Sequence, residues 1–452
     1  MSARGTWAGR KIGVLGLGRS GRAVARALGR EGASLFAFDD RPEAIRAAAV
    51  PGLRPGVPQD VRRLDLLVVS PGVPLAHPLA VSARHAGVRV VGDIQLFAEL
   101  HPRLRLLGIT GTNGKSTTAA LLHHLLTAAG LRAHLGGNIG TPVFELDPKP
   151  GEAVVLELSS FQLELCTRLP LELALWLNFA PDHLDRHGTA EAYLAAKRRI
   201  FDGLSPRGTA VVVVEDPLSR ALADELERSH VRVLRVGGEG ERLALSVRDG
   251  LLSDPATGAA LADLRRLERL RGRHNHLDAA AAFAAARALG IAVPELARGL
   301  AAFGGLPHRM EPVATIEGVR FVNDSKATNP EAAARSLACF EECFWIAGGR
   351  AKPGGFEALN AVLGNVRCAY LIGEAAGALA RALRARIPVV RAGTLARAVA
   401  AAFDDARRSG CRHPVVLLAP ACASFDQFRD FEERGETFIR LVRSLAALEA
   451  DA

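Results

Sequence analysis

Short apolar runs alternate with helix-like stretches over the first hundred residues. Residues 11–17, 34–38 and 64–69 are predicted strands, and each leads into glycine, aspartate or serine. Between the first two strands, residues 20–32 place apolar side chains on one face at helical spacing. Strands that alternate with helices predict a parallel α/β sheet.

The same alternation starts again near residue 104. A strand over residues 105–110 precedes a glycine-rich turn and a helix over residues 115–129. The other elements expected here are strands over 154–158 and 173–178, short strands and turns over 231–271, an alanine-rich helix over 276–289 and a helix over 294–303. Ligands of open α/β sheets bind at the carboxyl ends of the strands, so the polar residues that follow these strands are site candidates.

A third unit follows a linker-like segment at residues 304–307. Its predicted elements are a hairpin over 313–323 and strands over 343–347, 368–372 and 415–418, with helices between them. The pattern therefore predicts the α/β fold class with three domains. Their predicted boundaries are residues 1–98, 99–304 and 305–452.

Composition narrows the class of protein. Of the 452 residues, 49% are hydrophobic and 23% are charged, which is typical of a globular protein and excludes wholesale disorder. No apolar run reaches the roughly 18 residues of a membrane helix, and no signal-peptide segment is seen, so we predict a cytoplasmic protein without membrane insertion. The net charge of +9 comes from dispersed arginines, which argues against nucleic acid as a partner. We expect small-molecule substrates, a monomer, and free thiols at the six cysteines, none of which form a C-x-x-C pair.

Lysine is scarce in this chain, since only six of the 57 basic residues are lysines. Lysine has a compact ammonium group whose pKa shifts readily, which arginine lacks. A retained lysine is therefore a weak indicator of function. Four of the six lysines lie in the motifs described below: Lys115, Lys197, Lys326 and Lys352.

Residues 16–21 form a G-x-G-x-x-G pattern between a predicted strand and a predicted helix, and Asp39 follows at the end of the next strand. The pattern is typical of dinucleotide sites, because glycines allow close approach of the backbone and the helix N-terminus favours an anion. A tight turn without a ligand has the same sequence. By itself the motif leaves a nicotinamide-dependent dehydrogenase open.

Residues 108–117 read Gly-Ile-Thr-Gly-Thr-Asn-Gly-Lys-Ser-Thr and resemble a P-loop. In such loops backbone N–H groups hold phosphates, and here Lys115 would reach the β- and γ-phosphates while the Ser116 hydroxyl binds Mg²⁺. The first glycine stands one residue further back than in the strict pattern, so this is a variant loop. Two phosphate sites in one chain favour phosphoryl transfer over oxidoreduction.

Three further residues are candidate metal ligands. Glu157 ends a predicted strand, where a carboxylate can hold Mg²⁺. His183 lies between Asp182 and Asp185 after the next strand, although a lone histidine is usually structural. Lys197 lies on a predicted helix, and a surface lysine is the competing interpretation.

Beyond residue 270, polar residues again follow predicted strands. Asn275 either caps the alanine-rich helix or contacts a base, and Arg309 after the linker is placed to bind a phosphate. Three polar or glycine-rich segments follow the strands of the last predicted domain, at residues 323–330, 348–356 and 419–428. Together they would form a surface for a small charged substrate.

With these motifs the chain resembles the Mur ligase family, which builds the peptidoglycan stem peptide. The likeness spans all three predicted domains. The segment 111–117 is shared with the wider family, including folylpolyglutamate synthase. Residues 137–140, 324–329 and 420–428 resemble the branch that adds D-glutamate to UDP-N-acetylmuramoyl-L-alanine with ATP. The resemblance implies a Rossmann-like UDP-binding domain, a central P-loop ATPase-type domain and a Rossmann-like domain for the amino acid.

The resemblance also implies the role of each candidate residue. The UDP substrate would lie against Arg19, Ser20, Asp39, Asp40, Arg41, Ser70, Gly72, Asn138 and Gln162. ATP would lie against Gly111, Thr112, Asn113, Gly114, Lys115, Ser116, Thr117, Asn275, Arg309, Asp324 and Lys326. D-Glutamate would lie against Thr328, Lys352, Ser424 and Phe431.

Two Mg²⁺ sites follow from the same resemblance. One would be held by Ser116 and Glu157, and the other by His183 and Lys197. In the family this lysine is a carbamate made with CO₂. The implied catalytic residues are Lys115, His183, Lys197 and Arg309.

Some residues depart from the family pattern, and rival functions stay open. Asp40 stands where a threonine is common, Arg19 where an apolar residue is expected, and Ala419 where a serine is expected. The rivals are a sister ligase for another amino acid, folylpolyglutamate synthase, a dehydrogenase and a catalytically silent nucleotide-binding scaffold.

Overall fold

The computed structural model describes residues 7–240, 242–352 and 354–450, with the backbone alone at residues 58 and 447–450. These residues divide into two compact units. Unit 1 comprises residues 1–262 and 277–302, and unit 2 comprises residues 263–276 and 303–452. Unit 1 therefore holds the first two predicted domains, and each of them has a sheet of its own.

The first sheet of unit 1 has five parallel strands in the order β3-β2-β1-β4-β5. Strands β1 and β4 are almost entirely buried apolar runs, as is typical of parallel strands covered on both faces. The elements of this region are β1 (Lys11–Leu15), α1 (Arg19–Arg30), β2 (Ser34–Phe38), α2 (Pro42–Ala47), β3 (Leu53–Pro55), β4 (Leu66–Val69), α3 (Pro78–His85), β5 (Arg89–Gly92) and α4 (Asp93–Leu100).

The second sheet of unit 1 has nine strands in the order β14-β13-β12-β11-β10-β9-β6-β8-β7. The strands from β7 to β12 pair in parallel, and β12 pairs with β13 in antiparallel fashion. The elements are β6 (Arg105–Thr110), α5 (Lys115–Ala128), β7 (Ala133–Gly137), β8 (Ala153–Glu157), α6 (Ser160–Glu164), β9 (Leu171–Trp176), α7 (Leu184–His187), α8 (Ala190–Arg198), β10 (Thr209–Val213), α9 (Pro217–Arg228), β11 (Arg232–Gly237), β12 (Leu243–Arg248), β13 (Leu251–Asp254), β14 (Ala259–Asp263), α10 (Arg273–Ala288) and α11 (Val293–Ala302).

Unit 2 contains a six-stranded sheet in the order β15-β16-β20-β17-β18-β19. The predicted hairpin is confirmed, since β15 and β16 are antiparallel, and the other pairs are parallel. The elements are β15 (Glu311–Ile316), β16 (Val319–Asn323), α12 (Pro330–Leu337), β17 (Cys343–Gly348), β18 (Val366–Ile372), α13 (Ala376–Leu383), β19 (Val389–Gly393), α14 (Leu395–Arg408), β20 (Val415–Leu418) and α15 (Phe431–Ala450).

The alanine-rich helix α10 starts earlier than predicted. It begins at Arg273, so Asn275 lies inside the helix and does not cap it. The expectation of an N-cap was wrong because the chain turns at Gly272 (φ 93°), three residues before the asparagine. Alanines 279–282 and 284–286 are buried, and a helix that is apolar all round belongs in the interior.

Two expectations from composition, free cysteines and the lack of a membrane helix, can be compared with the structure. The six cysteines are all free, and four of them are buried. Within the described residues no helix is both long enough and apolar enough to cross a membrane.

The core of unit 2 generates a stability prediction. Phe438 on α15 is fully buried, and its ring centre lies 6.4 Å from that of Phe321. Replacing Phe438 by alanine should lower the free energy of unfolding by about 3–5 kcal/mol, because it removes a large buried side chain and leaves a cavity. The control is Phe425→Ala, since Phe425 is 63% exposed; its effect should stay within about 0.5 kcal/mol. Equal losses in urea unfolding of the two variants would contradict this description of the core.

Candidate functional site

Three neighbouring parallel strands of the second sheet end at one edge of unit 1. Strand β6 lies between β8 and β9, and in the register Ile109 pairs with Glu157 and Thr110 with Trp176. The glycine-rich loop follows β6, Glu157 ends β8, and the segment 177–187 follows β9. The register therefore brings the predicted phosphate loop, a carboxylate and the loop of His183 to the same edge.

The glycine-rich loop leads into the N-terminus of α5 and is held in place by contacts with other segments. Gly114 is the N-cap, with φ 83°, and a Cβ there would lie 2.3 Å from Asp278 Oδ1. Asn178 braces the loop, since its Oδ1 accepts from Asn113 N at 2.9 Å and its Nδ2 donates to Asn113 O at 3.2 Å. A braced loop at a helix N-terminus is suited to bind phosphate.

Two lysines meet at one carbonyl of this loop. Lys115 Nζ donates to Gly111 O and Thr112 O at 2.9 Å each, and Lys197 Nζ donates to Gly111 O at 2.7 Å. Lys197 is 1% exposed. Burial, and then the neighbouring charge of Lys115, lowers the pKa of Lys197 well below its usual range. The interpretation of Lys197 as a surface lysine is therefore wrong, and its amine loses a proton more readily than an ordinary lysine.

The two carboxylate oxygens of Glu157 differ in their surroundings. The residue is 2% exposed, and its Oε1 accepts from Asn138 Nδ2 at 2.8 Å. Its Oε2 is buried and has no hydrogen-bond partner among the described residues. Leaving such an oxygen unpaired is costly, and a hard divalent cation would satisfy it, so the donor fits Mg²⁺. Across the described ranges no three His, Cys, Asp or Glu side chains form a metal-binding group, so a cation here also needs hydroxyl, phosphate or water oxygens.

His183 lies in an unusual backbone conformation beside the same edge. Its φ is 53°, and it precedes α7. Its Nε2 lies 3.6 Å from Asp182 Oδ2, and its ring packs edge-on against Phe161 with ring centres 5.0 Å apart. Burial lowers the pKa of His183, which favours the neutral ring that can bind a metal.

A second site in unit 1 is a cavity of about 570 Å³ at the carboxyl ends of β1, β2 and β4. All nine residues expected to hold the UDP substrate line it, and they come from loops and helices that adjoin both sheets of the unit. They are Arg19, Ser20, Asp39, Asp40, Arg41, Ser70, Gly72, Asn138 and Gln162. Residues more than 140 positions apart in the chain are thus brought to one cavity.

Hydrogen bonds fix the walls of this cavity. Asp39 accepts from Leu17 N at 2.7 Å and from Arg41 N at 3.0 Å. Burial raises the pKa of Asp39, but these two bonds and the Arg41 charge outweigh it, so the net pKa is below the usual value. Arg19 spans the cavity by donating to Gly140 O at 2.9 Å. The Asp39 carboxylate therefore serves first to fix the glycine-rich turn.

Unit 2 brings its polar segments together in the same way. Strands β16, β20 and β17 are neighbours, with Asn323 paired to Leu418 and Leu418 to Ile346, so their exits lie side by side. The residues predicted for D-glutamate follow these exits or begin α15. Thr328 and Phe431 are half-buried, Ser424 is buried and Lys352 is exposed.

The ATP candidates of unit 2 are held by its own side chains. Asp324 is buried, accepts from Ser336 Oγ and from Met310 N at 3.3 Å, and its pKa is raised by burial. Asn275 Nδ2 donates to Arg271 O at 2.7 Å. The ammonium of Lys326 lies 3.7 Å from the ring centre of Phe431. Arg309 is half-buried.

Sequence reasoning misses three residues of these sites. His77 lines the cavity and lies 3.1 Å from Asp40 through its Nε2, but a single histidine in a loop gives no signal. Asn178 braces the phosphate loop across the sheet, a contact that no local pattern shows. Asp278 does carry a signal, because it is an acid near the start of an alanine-rich helix.

Comparison with known proteins assigns all three regions to one family. Three family models match the chain: "Mur ligase MurD-like, N-terminal domain" over residues 10–92, "Mur ligase middle domain" over 109–286, and "Mur ligase, glutamate ligase domain" over 308–422. A UDP-N-acetylmuramoylalanine–D-glutamate ligase from Phenylobacterium zucineum is 47% identical, covering 98% of each chain. The protein of the same name from Paramagnetospirillum magneticum is 45% identical over 96% of this chain and 97% of its own.

Solved structures show the same fold. A UDP-N-acetylmuramate-alanine ligase from Thermotoga maritima superposes with a TM-score of 0.61 at 18% identity, covering 96% of this chain and 99% of that one. A MurF structure from Acinetobacter baumannii gives a TM-score of 0.59 at 16% identity, covering 97% and 92%.

The geometry of Gly114 gives a matched test of the phosphate loop. Gly114→Ala should weaken ATP binding by at least about tenfold, because the new Cβ collides with the Asp278 carboxylate and shifts the loop. Gly130→Ala is the control, since Gly130 ends the same helix region with φ 80° but has nothing within 4 Å of a Cβ. The Gly130→Ala variant should lose about 1–2 kcal/mol of stability but keep its affinity for ATP. Displacement of a fluorescent ATP analogue measures the ATP affinity of both variants. Similar affinities would rule out the proposed function of the loop.

Proposed function

Because the chain belongs to the Mur ligase family, we propose that it is an ATP-dependent ligase that joins D-glutamate to UDP-N-acetylmuramoyl-L-alanine in peptidoglycan precursor synthesis. This activity is the one in the names of relatives that are 45–47% identical over almost the whole chain. The observation that supports it best is the 570 Å³ cavity, because the nine residues matched to the UDP substrate all line it.

The cavity extends well beyond the glycine-rich turn, which favours a UDP-linked substrate over a nicotinamide dinucleotide. Asp39 accepts one backbone N–H group on each oxygen and so braces the turn, and each oxygen keeps a lone pair for a ligand. Asn138 and Gln162, from the second sheet, extend the cavity toward Glu157 and would contact the sugar and peptide part.

The first chemical step is activation of the L-alanyl carboxylate. One of its oxygens attacks the γ-phosphorus of ATP, the bond from that phosphorus to the β–γ bridging oxygen breaks, and ADP leaves an acyl phosphate behind. Lys115 and the N–H groups of residues 111–114 would hold the phosphates and stabilise the charge that develops on them.

Two Mg²⁺ sites fit this edge of the sheet. Ser116 with Glu157 would hold one ion, and His183 with a carbamate on Lys197 would hold the other. When bound, Mg²⁺ neutralises charge on the transferred phosphoryl group. The buried Lys197 amine, with its lowered pKa, is suited to react with CO₂, which turns a cation into an anionic ligand.

The second step forms the amide. The D-glutamate amine attacks the acyl carbon, the tetrahedral intermediate collapses with release of phosphate, and the amine gives up a proton. Lys352, Thr328, Ser424 and Phe431 would bind the carboxylates and backbone of the amino acid. The roles of Asn275, Arg309, Asp324 and Lys326 toward ATP stay predictions, as do the domain boundaries, the monomeric state and the cytoplasmic location.

Phosphate release tests the proposed function. With ATP, Mg²⁺ and UDP-N-acetylmuramoyl-L-alanine, we expect release only when D-glutamate is added, and none with L-glutamate, L-alanine, L-lysine or diaminopimelate. Release with another amino acid would move the chain to a sister activity. A complete absence of release, together with binding of a nicotinamide cofactor, would overturn the proposal in favour of a dehydrogenase.

Lys197→Ala tests the carbamate. We expect turnover to fall by about 100-fold or more, because an anionic ligand is lost from the phosphate edge. Wild-type protein in ¹³C-bicarbonate should show a carbamate NMR signal that the variant lacks. Lys149→Ala, at an exposed lysine paired with Asp147, should keep both the signal and the activity. A signal that survives in Lys197→Ala would place the carbamate elsewhere.

A further inference from the structure

A buried arginine joins the three strand exits of unit 2. Arg434, on α15, is fully buried. Its Nε donates to Ser325 Oγ at 3.0 Å, and its Nη2 donates to Ser325 O at 3.0 Å and to Cys422 O at 3.2 Å. Its Nη1 donates to Cys422 O at 3.2 Å and to Gly348 O at 3.4 Å. One planar guanidinium therefore ties together the segments that follow β16, β17 and β20.

Each of these segments leads to a residue proposed for the amino-acid substrate. Ser325 is three residues before Thr328, Gly348 is four before Lys352, and Cys422 is two before Ser424. The fourth proposed contact is reached through Ser325. Its hydroxyl accepts from Arg434 and donates to Phe431 O at 2.8 Å.

Arg434 forms no ion pair within the described residues, because every hydrogen-bond acceptor around it is a carbonyl or a hydroxyl; the nearby Asp426 carboxylate favours its charged form without bonding to it. Burial lowers the pKa of Arg434 to about 10, so the group stays cationic near neutral pH. Burying an unpaired charge is costly and contributes little to stability by itself. Its fork of donors, in contrast, matches several carbonyl groups at fixed angles, which lysine does not.

The backbone around Arg434 is closely packed, with no room for a Cβ at two neighbouring glycines. A Cβ on Gly349 would lie 2.1 Å from Ala423 O and 3.2 Å from Arg434 Nη1. A Cβ on Gly435 would lie 2.3 Å from His308 Nδ1. A small displacement of the guanidinium would therefore be passed to two of the strand exits at once.

We propose that Arg434 is a positioning residue for the amino-acid substrate: it holds the three strand exits of unit 2 in the arrangement that binds the two carboxylates of D-glutamate. This inference rests on the proposed ligase function and names a residue that does not touch the substrate. It also assigns the buried charge a purpose, since a cation close to these strand exits favours a dianionic ligand there.

The kinetic constants of Arg434→Lys test this. The variant keeps the charge but loses the planar fork, and we expect the KM for D-glutamate to rise at least about tenfold while the KM for ATP stays within about twofold. Arg440→Ala, at an exposed arginine of the same helix, should leave both constants unchanged. The rise in the KM for D-glutamate in Lys352→Ala shows how large an effect the loss of a proposed direct contact has.

A second variant covers the case in which Arg434→Lys does not fold. Ser325→Ala keeps the arginine and removes both hydrogen bonds of the hydroxyl, and it should raise the KM for D-glutamate in the same selective way. Chemical rescue adds an independent readout: in Arg434→Ala, free guanidinium at millimolar concentration should restore part of the D-glutamate affinity.

The outcomes separate this inference from the function on which it rests. Equal changes in the two KM values, or a lower melting temperature with unchanged KM values, would overturn the positioning role. Wild-type protein that shows no dependence on D-glutamate would instead overturn the proposed function.

Discussion

The in-register alignment of neighbouring parallel strands is the constraint on which the sites depend. In each of the three sheets, three adjacent strands end within about two residues of one another in the register: β2, β1 and β4, then β8, β6 and β9, then β16, β20 and β17. Beyond the carboxyl end of a parallel strand, the backbone groups no longer pair with a neighbouring strand, so the loops that follow can bind ligands. The same physical rule thus brings together, from three different stretches of sequence, the three edges at which we propose that the nucleotide, the phosphates and the amino acid bind.

At these edges the chain keeps buried polar groups that a core would not tolerate. Within the part of the chain that the structure describes, Glu157 has an oxygen without a hydrogen-bond partner, Lys197 has an amine with a lowered pKa, and Arg434 has a charge that forms no ion pair. Each is expensive to bury alone. Their common feature is that a ligand, a metal ion or the orientation of a binding segment would compensate the cost, which is why we connect all three to function.

Local patterns predicted much of the fold and of the site. The strands at residues 34–38, 105–110 and 415–418 have the predicted bounds, because each is a mainly apolar run that is closed by an aspartate, a glycine or an Ala-Pro pair. Strand β10 (Thr209–Val213) has the same kind of run after Gly208 but was not among the expected strands, although it lies inside the large sheet. Asn275 was open to two interpretations because its sequence suits a helix start equally well, and only the turn at Gly272 settles where α10 begins.

The sequence by itself determined the glycine-rich turns, the retained lysines and the family likeness, because these depend on residue type and spacing along the chain. Only the tertiary structure decided that Arg19 and Gln162 face one cavity, that Lys115 and Lys197 share the carbonyl of Gly111, and that Arg434 joins three strand exits. These relations arise from strand order and register, and from burial, which sets the pKa of Lys197. Strand order and burial depend on residues that are far apart in the chain, so a local sequence pattern cannot predict them.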